Sequence, residues 1–141
     1  MFKISESFII ERPPTEVFQI AADPETQLKW DSGNLQKVEK LTAGPLGKGA
    51  RYRGSFKGMG VVEYDYSEYE PGRRFAHHSV VSMGDMLHLL EFEAVPEGTR
   101  LTQSMVVKPN GLWSLMTPFM KTMMRNRMRL VASEIKTYLV K

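Results

Sequence analysis

Apolar and polar residues alternate along most of this chain, with the period of two that is typical of half-buried β-strands. Residues 51–57 show the alternation most clearly. Tyr52, Gly54 and Phe56 would lie on one face, and charged or polar side chains on the other. Together with glycine- and proline-rich turns, the pattern predicts seven strands: Phe2–Ile10, Leu35–Thr42, Arg51–Lys57, Val61–Glu70, Arg73–Val81, Met86–Val95 and Arg100–Lys108.

Three further segments lack the alternation and predict helices. The sequence Pro13-Pro14-Thr15-Glu16 suits the start of a short helix, because proline is tolerated in the first turn and an acidic side chain is favourable there. Asp23-Pro24 begins a second short helix, which ends near Trp30-Asp31. The third helix is long and runs from about Leu112 to Val140, with Asn110 as its expected cap.

One face of the long helix is rich in methionine. Its predicted apolar stripe consists of Leu112, Met116, Phe119, Met120, Met123, Leu130 and Tyr138. Methionine is flexible and polarizable, so such a stripe suits an irregular apolar surface, including the wall of a ligand cavity. Arg127 falls within this stripe, and a charge in that position must be paired, bound to a ligand or able to reach water.

The order of the elements is one strand, two short helices, six strands and a long helix. Connections of hairpin length favour an antiparallel sheet, and an amphipathic helix after such a sheet covers one of its faces. The predicted fold class is α+β in a single domain, residues 1–141. A curved antiparallel sheet of about seven strands is wrapped around the long C-terminal helix, with the two short helices after the first strand.

In this order, the segments resemble the START-like, helix-grip superfamily, also called SRPBCC, of polyketide cyclase/dehydrase and lipid-transport proteins. The residues that carry the resemblance are Pro14-Thr15-Glu16-Val17-Phe18, Asp23-Pro24-Glu25 with Trp30, Gly47-Lys48-Gly49-Ala50-Arg51-Tyr52, Tyr69-Glu70-Pro71-Gly72-Arg73-Arg74-Phe75 and Gly98-Thr99-Arg100-Leu101-Thr102. They are spread over nearly the whole chain. The resemblance implies an apolar cavity between sheet and helix that binds lipids, polyketides or other hydrophobic molecules, in proteins that are carriers or enzymes.

Composition excludes several classes of function. The chain is 42% apolar and 25% charged, which is typical of a soluble globular protein. It contains no cysteine, so disulfides, thiolate metal sites and cysteine nucleophiles are excluded. The N-terminal sequence is too polar for a signal peptide, and no apolar run is long enough to span a membrane. We therefore expect a cytoplasmic protein without a transmembrane segment.

Basic residues are concentrated in the last segment. From residue 110 onward a single acid, Glu134, accompanies six basic residues: Lys121, Arg125, Arg127, Arg129, Lys136 and Lys141. The simplest interpretation is a solvated outer face of the helix, and the alternative is peripheral contact with an anionic membrane or with RNA. No aromatic residue is interleaved on this face, so it lacks a surface on which bases could stack, and we expect no nucleic-acid partner.

Two histidines, His77 and His88, are the weak candidates for catalytic residues. If Phe92 points inward, alternation brings His88 to the same face. A two-residue turn at Met83-Gly84 or Gly84-Asp85 would also bring His77 inward, as a diagonal neighbour of His88 about 7–8 Å away. Acid–base chemistry is one interpretation of this pair, and two partly buried, hydrogen-bonded side chains are the other.

Other kinds of site have little support in the sequence. Two histidines supply two metal ligands at best, so we expect no metal site. Gly58 and Gly60 are followed by a strand and not by a helix, which argues against a nucleotide-binding loop. The Gly-x-Ser-x-Gly pattern of serine hydrolases is absent. We therefore expect no cofactor.

With the resemblance, the predicted ligand-binding residues are those that would face the cavity from the sheet and the helix: Tyr52, Tyr64, Tyr66, His77, His88, Leu90, Gln103, Met105, Met116, Phe119, Met120, Met123 and Arg127. Arg127 allows two interpretations. Its stem could pack on the methionines while its guanidinium reaches water or pairs with Glu134. Alternatively, the guanidinium could anchor the anionic head group of a ligand.

Three functions are compatible with this sequence. The first is binding or carriage of a hydrophobic or amphipathic small molecule, lipid- or polyketide-like, without catalysis. The second is an enzyme of the cyclase/dehydratase type that uses the cavity histidines and a tyrosine as acid and base. The third is an interaction protein that docks through the basic helix face. Neither the identity of the ligand nor the oligomeric state follows from the sequence.

Overall fold

The computed structural model describes residues 1–140, so Lys141, counted above among the basic residues, lies outside the described residues. The strands are β1 (Phe2–Ile10), β2 (Leu35–Lys40), β3 (Arg51–Phe56), β4 (Gly60–Glu70), β5 (Arg74–Val81), β6 (Gly84–Val95) and β7 (Gly98–Pro109). The helices are α1 (Pro14–Ala22), α2 (Pro24–Trp30), a 3₁₀ helix (Gly111–Met116) and α3 (Thr117–Leu139). Each predicted strand is present, and its ends differ from the prediction by two residues at most.

The seven strands form one antiparallel sheet in the order β1-β7-β6-β5-β4-β3-β2. Strands β2 to β7 follow one another as neighbours, which the short connections predict. β1 pairs with β7 along its full length, from Phe2 opposite Val107 to Ile10 opposite Thr99. The predicted fold class and the order of elements are therefore confirmed.

The turn between β5 and β6 differs from the prediction. Val81 pairs with Gly84, so the two-residue turn is Ser82-Met83, and both predicted turns were wrong. Gly84 belongs to β6 through its pairing with Val81 and Pro109. The β7 backbone passes so close to it that an added Cβ would overlap the carbonyl oxygen of Lys108, so only glycine fits there. This register places His77 directly opposite His88, not diagonally.

The buried face of α3 also differs from the predicted stripe. It consists of Met120, Met124, Met128, Val131, Ala132 and Ile135, whereas Leu112, Met116, Phe119, Met123 and Leu130 are exposed. Residues 111–116 form a 3₁₀ helix, with three residues per turn, so a period of 3.6 cannot be extended back through them. Pro118 lies in the first turn of α3, where proline is tolerated, and Asn110 makes no side-chain cap bond.

Two groups of buried side chains hold α3 against the rest of the molecule. At its N-terminal end, Met120, Met124 and Met128 pack against Phe2 and Ile4 of β1, together with residues of β7. At its C-terminal end, Val131 and Ile135 join a larger core that is built from α1, α2 and the aromatic residues of β3 to β6. Between these two contacts the helix and the sheet leave an open space.

Candidate ligand cavity

A cavity of about 390 Å³ lies between α3 and the inner face of the sheet. Its apolar lining includes Trp30, Phe56, Val62, Phe75, Leu90 and Val131, together with six methionines: Met59, Met83, Met86, Met105, Met123 and Met124. Its polar lining consists of Gln27, Asn34, Lys57, Tyr64, His77, Ser79, His88 and Arg127. Lys57, Met59 and Met123 are exposed, so they mark the rim, beside the turn between β3 and β4.

Alternation along the strands explains which side chains reach the cavity. Val62 and Tyr64 project from β4, His77 and Ser79 from β5, and His88 from β6. The residues between them point to the outer face, where His78 lies between the carboxylates of Asp65 and Asp85. The predicted inner face of β5 and β6 is therefore confirmed, although the turn that joins these strands was wrong.

The structure brings together seven of the thirteen predicted ligand-binding residues. They are Tyr64, His77, His88, Leu90, Met105, Met123 and Arg127, and all seven line the cavity. Their role in binding is a prediction.

The other six predicted residues do not line the cavity. Tyr52 and Tyr66 pack in the aromatic core, where the Tyr66 hydroxyl donates to the carbonyl of Ala22. Met120 is buried against β1 and β7. Met116 and Phe119 are exposed, because the long helix presents a different face to the sheet than predicted. Gln103 is fully buried behind His88.

Several lining residues were not among the predicted ligand-binding residues. The alternation that brings His88 and His77 inward also brings Met86 and Ser79 inward, so the sequence contained a signal for them. Trp30 and Asn34 had no such signal, because they reach the cavity only through the way in which α2 packs beside α3. Met124 was not among the predicted ligand-binding residues, because the predicted apolar stripe lay on a different face of the helix.

The two histidines share one polar patch on the floor of the cavity. Nε2 of His88 lies 3.0 Å from Oε1 of Gln103, and Nε2 of Gln103 donates to the carbonyl oxygen of Met128 on α3 at 2.8 Å. Burial lowers the pKa of His88 to about 4 and, together with the neighbouring His88, lowers the pKa of His77 to about 3. Both imidazoles are therefore neutral at pH 7.

Two polar atoms of this patch have no hydrogen-bond partner among residues 1–140. They are Nε2 of His77 and the hydroxyl oxygen of Tyr64, and both are shielded from solvent. The two rings are in contact, with centroids 4.9 Å apart. Leaving a buried polar atom unpaired costs about 1–3 kcal/mol, so these two atoms lower the stability of the patch in the unliganded protein.

Arg127 is paired with a buried aspartate that the sequence analysis did not single out. Its two terminal nitrogens donate to the two carboxylate oxygens of Asp31, at 3.1 and 2.7 Å. The Asp31 side chain is fully buried and also accepts from the amide of Gln27 at 2.9 Å. Burial by itself raises the pKa of Asp31, but the hydrogen bonds and charge of Arg127 outweigh it and lower that pKa.

Glu134 completes this cluster from the next turns of α3. Its carboxyl group lies beside that of Asp31, and its Oε2 atom is shielded from solvent without a hydrogen-bond partner among residues 1–140. Burial, followed by the neighbouring charge of Asp31, raises the pKa of Glu134 to about 7. The predicted pairing of Arg127 with Glu134 was therefore wrong, because both terminal nitrogens of Arg127 donate to Asp31.

Some basic side chains of α3 contact residues of β1, and others are exposed to solvent. Arg129 donates twice to Glu6 of β1, and the ammonium group of Lys121 lies 5.7 Å from the centre of the Phe2 ring. Arg125 and Lys136 are exposed. None of the helices within residues 1–140 combines the length and the apolar character that a membrane crossing requires.

Comparison with solved structures shows the same fold in other proteins. Ara h 8.0201 matches with a TM-score of 0.80 and 14% identity, over 99% of this chain and 97% of that one. TTHA0849 from Thermus thermophilus matches with a TM-score of 0.78 and 18% identity, over 99% and 97%. MLL2253 from Mesorhizobium loti matches with a TM-score of 0.75 and 14% identity, over 98% and 96%. Identities this low show a shared fold alone.

No curated protein sequence matches the chain. The model of one protein family, described as polyketide cyclase / dehydrase and lipid transport, matches residues 1–140. This match agrees with the seven-stranded sheet, the long C-terminal helix and the cavity between them. The chain therefore belongs to the polyketide cyclase/dehydrase and lipid-transport family, within the START-like, helix-grip superfamily.

Proposed function

We propose that this protein binds or carries a hydrophobic or amphipathic small molecule in the cavity between α3 and the sheet. The observation that carries the proposal is the cavity itself, with a volume of about 390 Å³ and a mainly apolar lining. Small-molecule sites typically measure about 300–1,000 Å³ and combine apolar walls with a few convergent polar groups. Tyr64, His77 and His88 supply such groups here.

The methionines of the lining support a carrier with an adaptable wall. Six of the ten methionines of the chain line the cavity. Their side chains are unbranched, so they can rearrange around ligands of different outline at little cost. Leu90, Phe75 and Val131 supply the less adaptable part of the wall.

The alternative of a cyclase/dehydratase-type enzyme gains no support from the acid–base properties of the cavity. A general acid or base works best when its pKa lies near the working pH. The pKa values of His77 and His88 are lowered to about 3 and about 4, so each is a poor proton donor and a weak base at pH 7. Both imidazoles are better suited to hydrogen bonding with a ligand than to proton transfer.

The proposal is tested by filling the cavity from one position. Ser79 projects into it from β5, whereas its neighbour Val80 is exposed on the outer face of the same strand. Ser79→Phe places a ring in the cavity, and Val80→Phe makes a matched change outside it. We expect the neutral fluorescent probe N-phenyl-1-naphthylamine to bind the parent protein and Val80→Phe, and to bind Ser79→Phe much more weakly.

Native mass spectrometry of the gently purified protein supplies a second measurement. We expect a bound small molecule on the parent protein and on Val80→Phe, and none on Ser79→Phe. If the parent protein carries no ligand and binds no member of a panel of lipids and polyketides, the proposal is wrong. Equal binding by the two variants would show that the probe binds elsewhere.

A further inference from the structure

We propose that the cavity selects a neutral amphipathic molecule through a hydroxyl group, which donates a hydrogen bond to Nδ1 of His88, and that Arg127 is not an anchor for an anionic head group. This inference rests on the proposed function and names the class of ligand that the same cavity takes. It follows from the hydrogen-bond directions around Gln103 and from the pairing of Arg127.

The side-chain amide of Gln103 has only one orientation that its partners allow. One end of the amide contacts the carbonyl oxygen of Met128, which can only accept a hydrogen bond, so this end must be the NH₂ group. The other end is therefore the oxygen atom Oε1, and it faces Nε2 of His88 at 3.0 Å. Since an amide oxygen can only accept, Nε2 of His88 must carry the proton.

This tautomer leaves Nδ1 of His88 as a hydrogen-bond acceptor. A neutral imidazole with a proton on Nε2 has a lone pair on Nδ1. Among residues 1–140, Nδ1 has no hydrogen-bond partner, and His88 lines the cavity. A ligand that meets this atom must therefore supply a donor. A hydroxyl group can do so, whereas a carboxylate, a ketone or an ether cannot.

Two further polar atoms lie beside this acceptor but are closed to a ligand. His77 lies directly opposite His88 on β5, and Tyr64 on β4 is in ring contact with His77. The Tyr64 hydroxyl and Nε2 of His77 lack partners among the described residues, but they are shielded from water and therefore also from a ligand hydroxyl. Nδ1 of His88 is not among these shielded atoms, so it is the atom of the patch that selects the head group.

The positive charge of Arg127 is already balanced by a carboxylate of the protein. Its two terminal nitrogens already donate to both oxygens of Asp31, whose side chain is fully buried. A ligand carboxylate that took these donors would leave the Asp31 charge buried without its partner. It would also add a negative group to a cluster that already holds the two carboxyl groups of Asp31 and Glu134. The cavity therefore disfavours the anionic relatives of the ligands that it binds.

A series of three probes with one scaffold tests this inference on the parent protein. 2-Naphthol, 2-methoxynaphthalene and 2-naphthoate differ only in the head group, which is a hydroxyl, an ether or a carboxylate. We expect isothermal titration calorimetry at pH 7 to show that 2-naphthol binds tighter than 2-methoxynaphthalene by on the order of tenfold, as one added hydrogen bond in a buried site implies. 2-Naphthoate should bind more weakly than 2-naphthol.

The outcomes separate the two proposals. If 2-naphthoate binds most tightly, or if 2-naphthol and 2-methoxynaphthalene bind equally well, the hydroxyl inference is overturned while the binding function stands. If none of the three probes binds although N-phenyl-1-naphthylamine does, the hydroxyl inference is overturned and the binding function stands. The variant His88→Phe should bring the affinities of 2-naphthol and 2-methoxynaphthalene together, whereas His78→Phe, on the outer face of the sheet, should preserve their difference.

The tautomer of His88 is measured without any ligand or variant. Long-range ¹H–¹⁵N correlation spectra of the histidine side chains distinguish a proton on Nε2 from one on Nδ1. We expect the Nε2–H form for His88 in the unliganded protein at pH 7. Replacing the amide in Gln103→Met should remove the preference for that form. An Nδ1–H tautomer in the parent protein would overturn the inference, since Nδ1 could then no longer accept.

Discussion

At the scale of single residues, the cluster of Asp31, Arg127 and Glu134 brings two carboxyl groups to one guanidinium. Asp31 is stabilised as an anion because Arg127 holds both of its oxygens. Glu134 is then the group that must stay neutral, because a second negative charge beside Asp31 would have no partner of its own. A protonated Glu134 can donate to Asp31, so the cluster is balanced at one negative and one positive charge.

The raised pKa of Glu134 predicts a loss of stability as the pH rises. The stabilising proton is fully bound below the ordinary glutamate pKa of about 4.3, and it is lost as the pH rises through about 7, the pKa of Glu134 in the folded protein. Between pH 5 and pH 8, the free energy of unfolding of the parent protein should therefore fall by about 1–3 kcal/mol relative to that of Glu134→Gln. Urea unfolding at four pH values measures this difference.

The comparison with Glu134→Gln isolates this group, because His77, His78 and His88 titrate in both proteins. A control, Glu97→Gln, removes an exposed carboxylate from the turn between β6 and β7 and should follow the parent protein. If the parent protein and Glu134→Gln instead show parallel pH profiles, Glu134 does not hold a proton in the folded state.

The sequence predicts that Arg127 needs a partner, but it does not predict which residue that partner is. A charge within an apolar stripe requires compensation wherever it lies. Glu134 was the nearest acid along the helix, whereas Asp31 lies 96 residues away in the chain. Only the packing of α2 against α3 brings Asp31 to Arg127, and no local pattern encodes that contact.

At the scale of elements, the strands were predicted more accurately than the long helix. Hairpin strands carry their own signal, because the alternation of 51–57 and the turns that flank it are local. Which face of α3 is buried depends on tertiary packing, because Met120, Met124 and Met128 contact residues of β1 and β7. Phe119 and Leu130 lie within α3 and are nevertheless exposed, so the buried face is rotated relative to the predicted stripe.

A pair of methionine variants tests the phase of α3. Met128 is fully buried and packs with Met120 and Met124, whereas Met116 is 44% exposed. We expect Met128→Ala to lower the free energy of unfolding by about 2–5 kcal/mol, through lost burial and the cavity that remains. Met116→Ala should change it by no more than about 0.5 kcal/mol. Urea unfolding measures both, and equal effects would contradict the helix orientation described here.

At the scale of the whole molecule, the order of elements and their neighbours in the sheet could be inferred from the sequence because the connections from β3 to β7 have only two or three residues each. The cavity between helix and sheet was implied only by the family resemblance. Its lining combines residues from α2, from five strands and from α3, and it depends on their relative placement to within a few ångströms. That placement is a property of the packed molecule, so residues such as Trp30 and Asn34 were not foreseen.

Occupation of the cavity should stabilise the whole molecule. A ligand that binds only the folded state adds about 2.7 kcal/mol to the free energy of unfolding at a free concentration of 100 times its Kd. We therefore expect 2-naphthol to raise the melting temperature of the parent protein in a concentration-dependent way, as followed by differential scanning calorimetry. A melting temperature of Ser79→Phe that rises equally would show that the stabilisation does not come from the cavity.

The methionines of the cavity wall also make ligand binding sensitive to oxidants. The chain has no cysteine, so its sulfur is present only as thioethers. Oxidation converts a methionine into a polar sulfoxide, which methionine sulfoxide reductases can reverse. Met59 and Met123 are the exposed residues of the rim, and peroxide would reach them before Met105 or Met124, which are buried. Oxidative stress would therefore make the entrance polar first and lower the affinity for an apolar ligand while the fold is still intact.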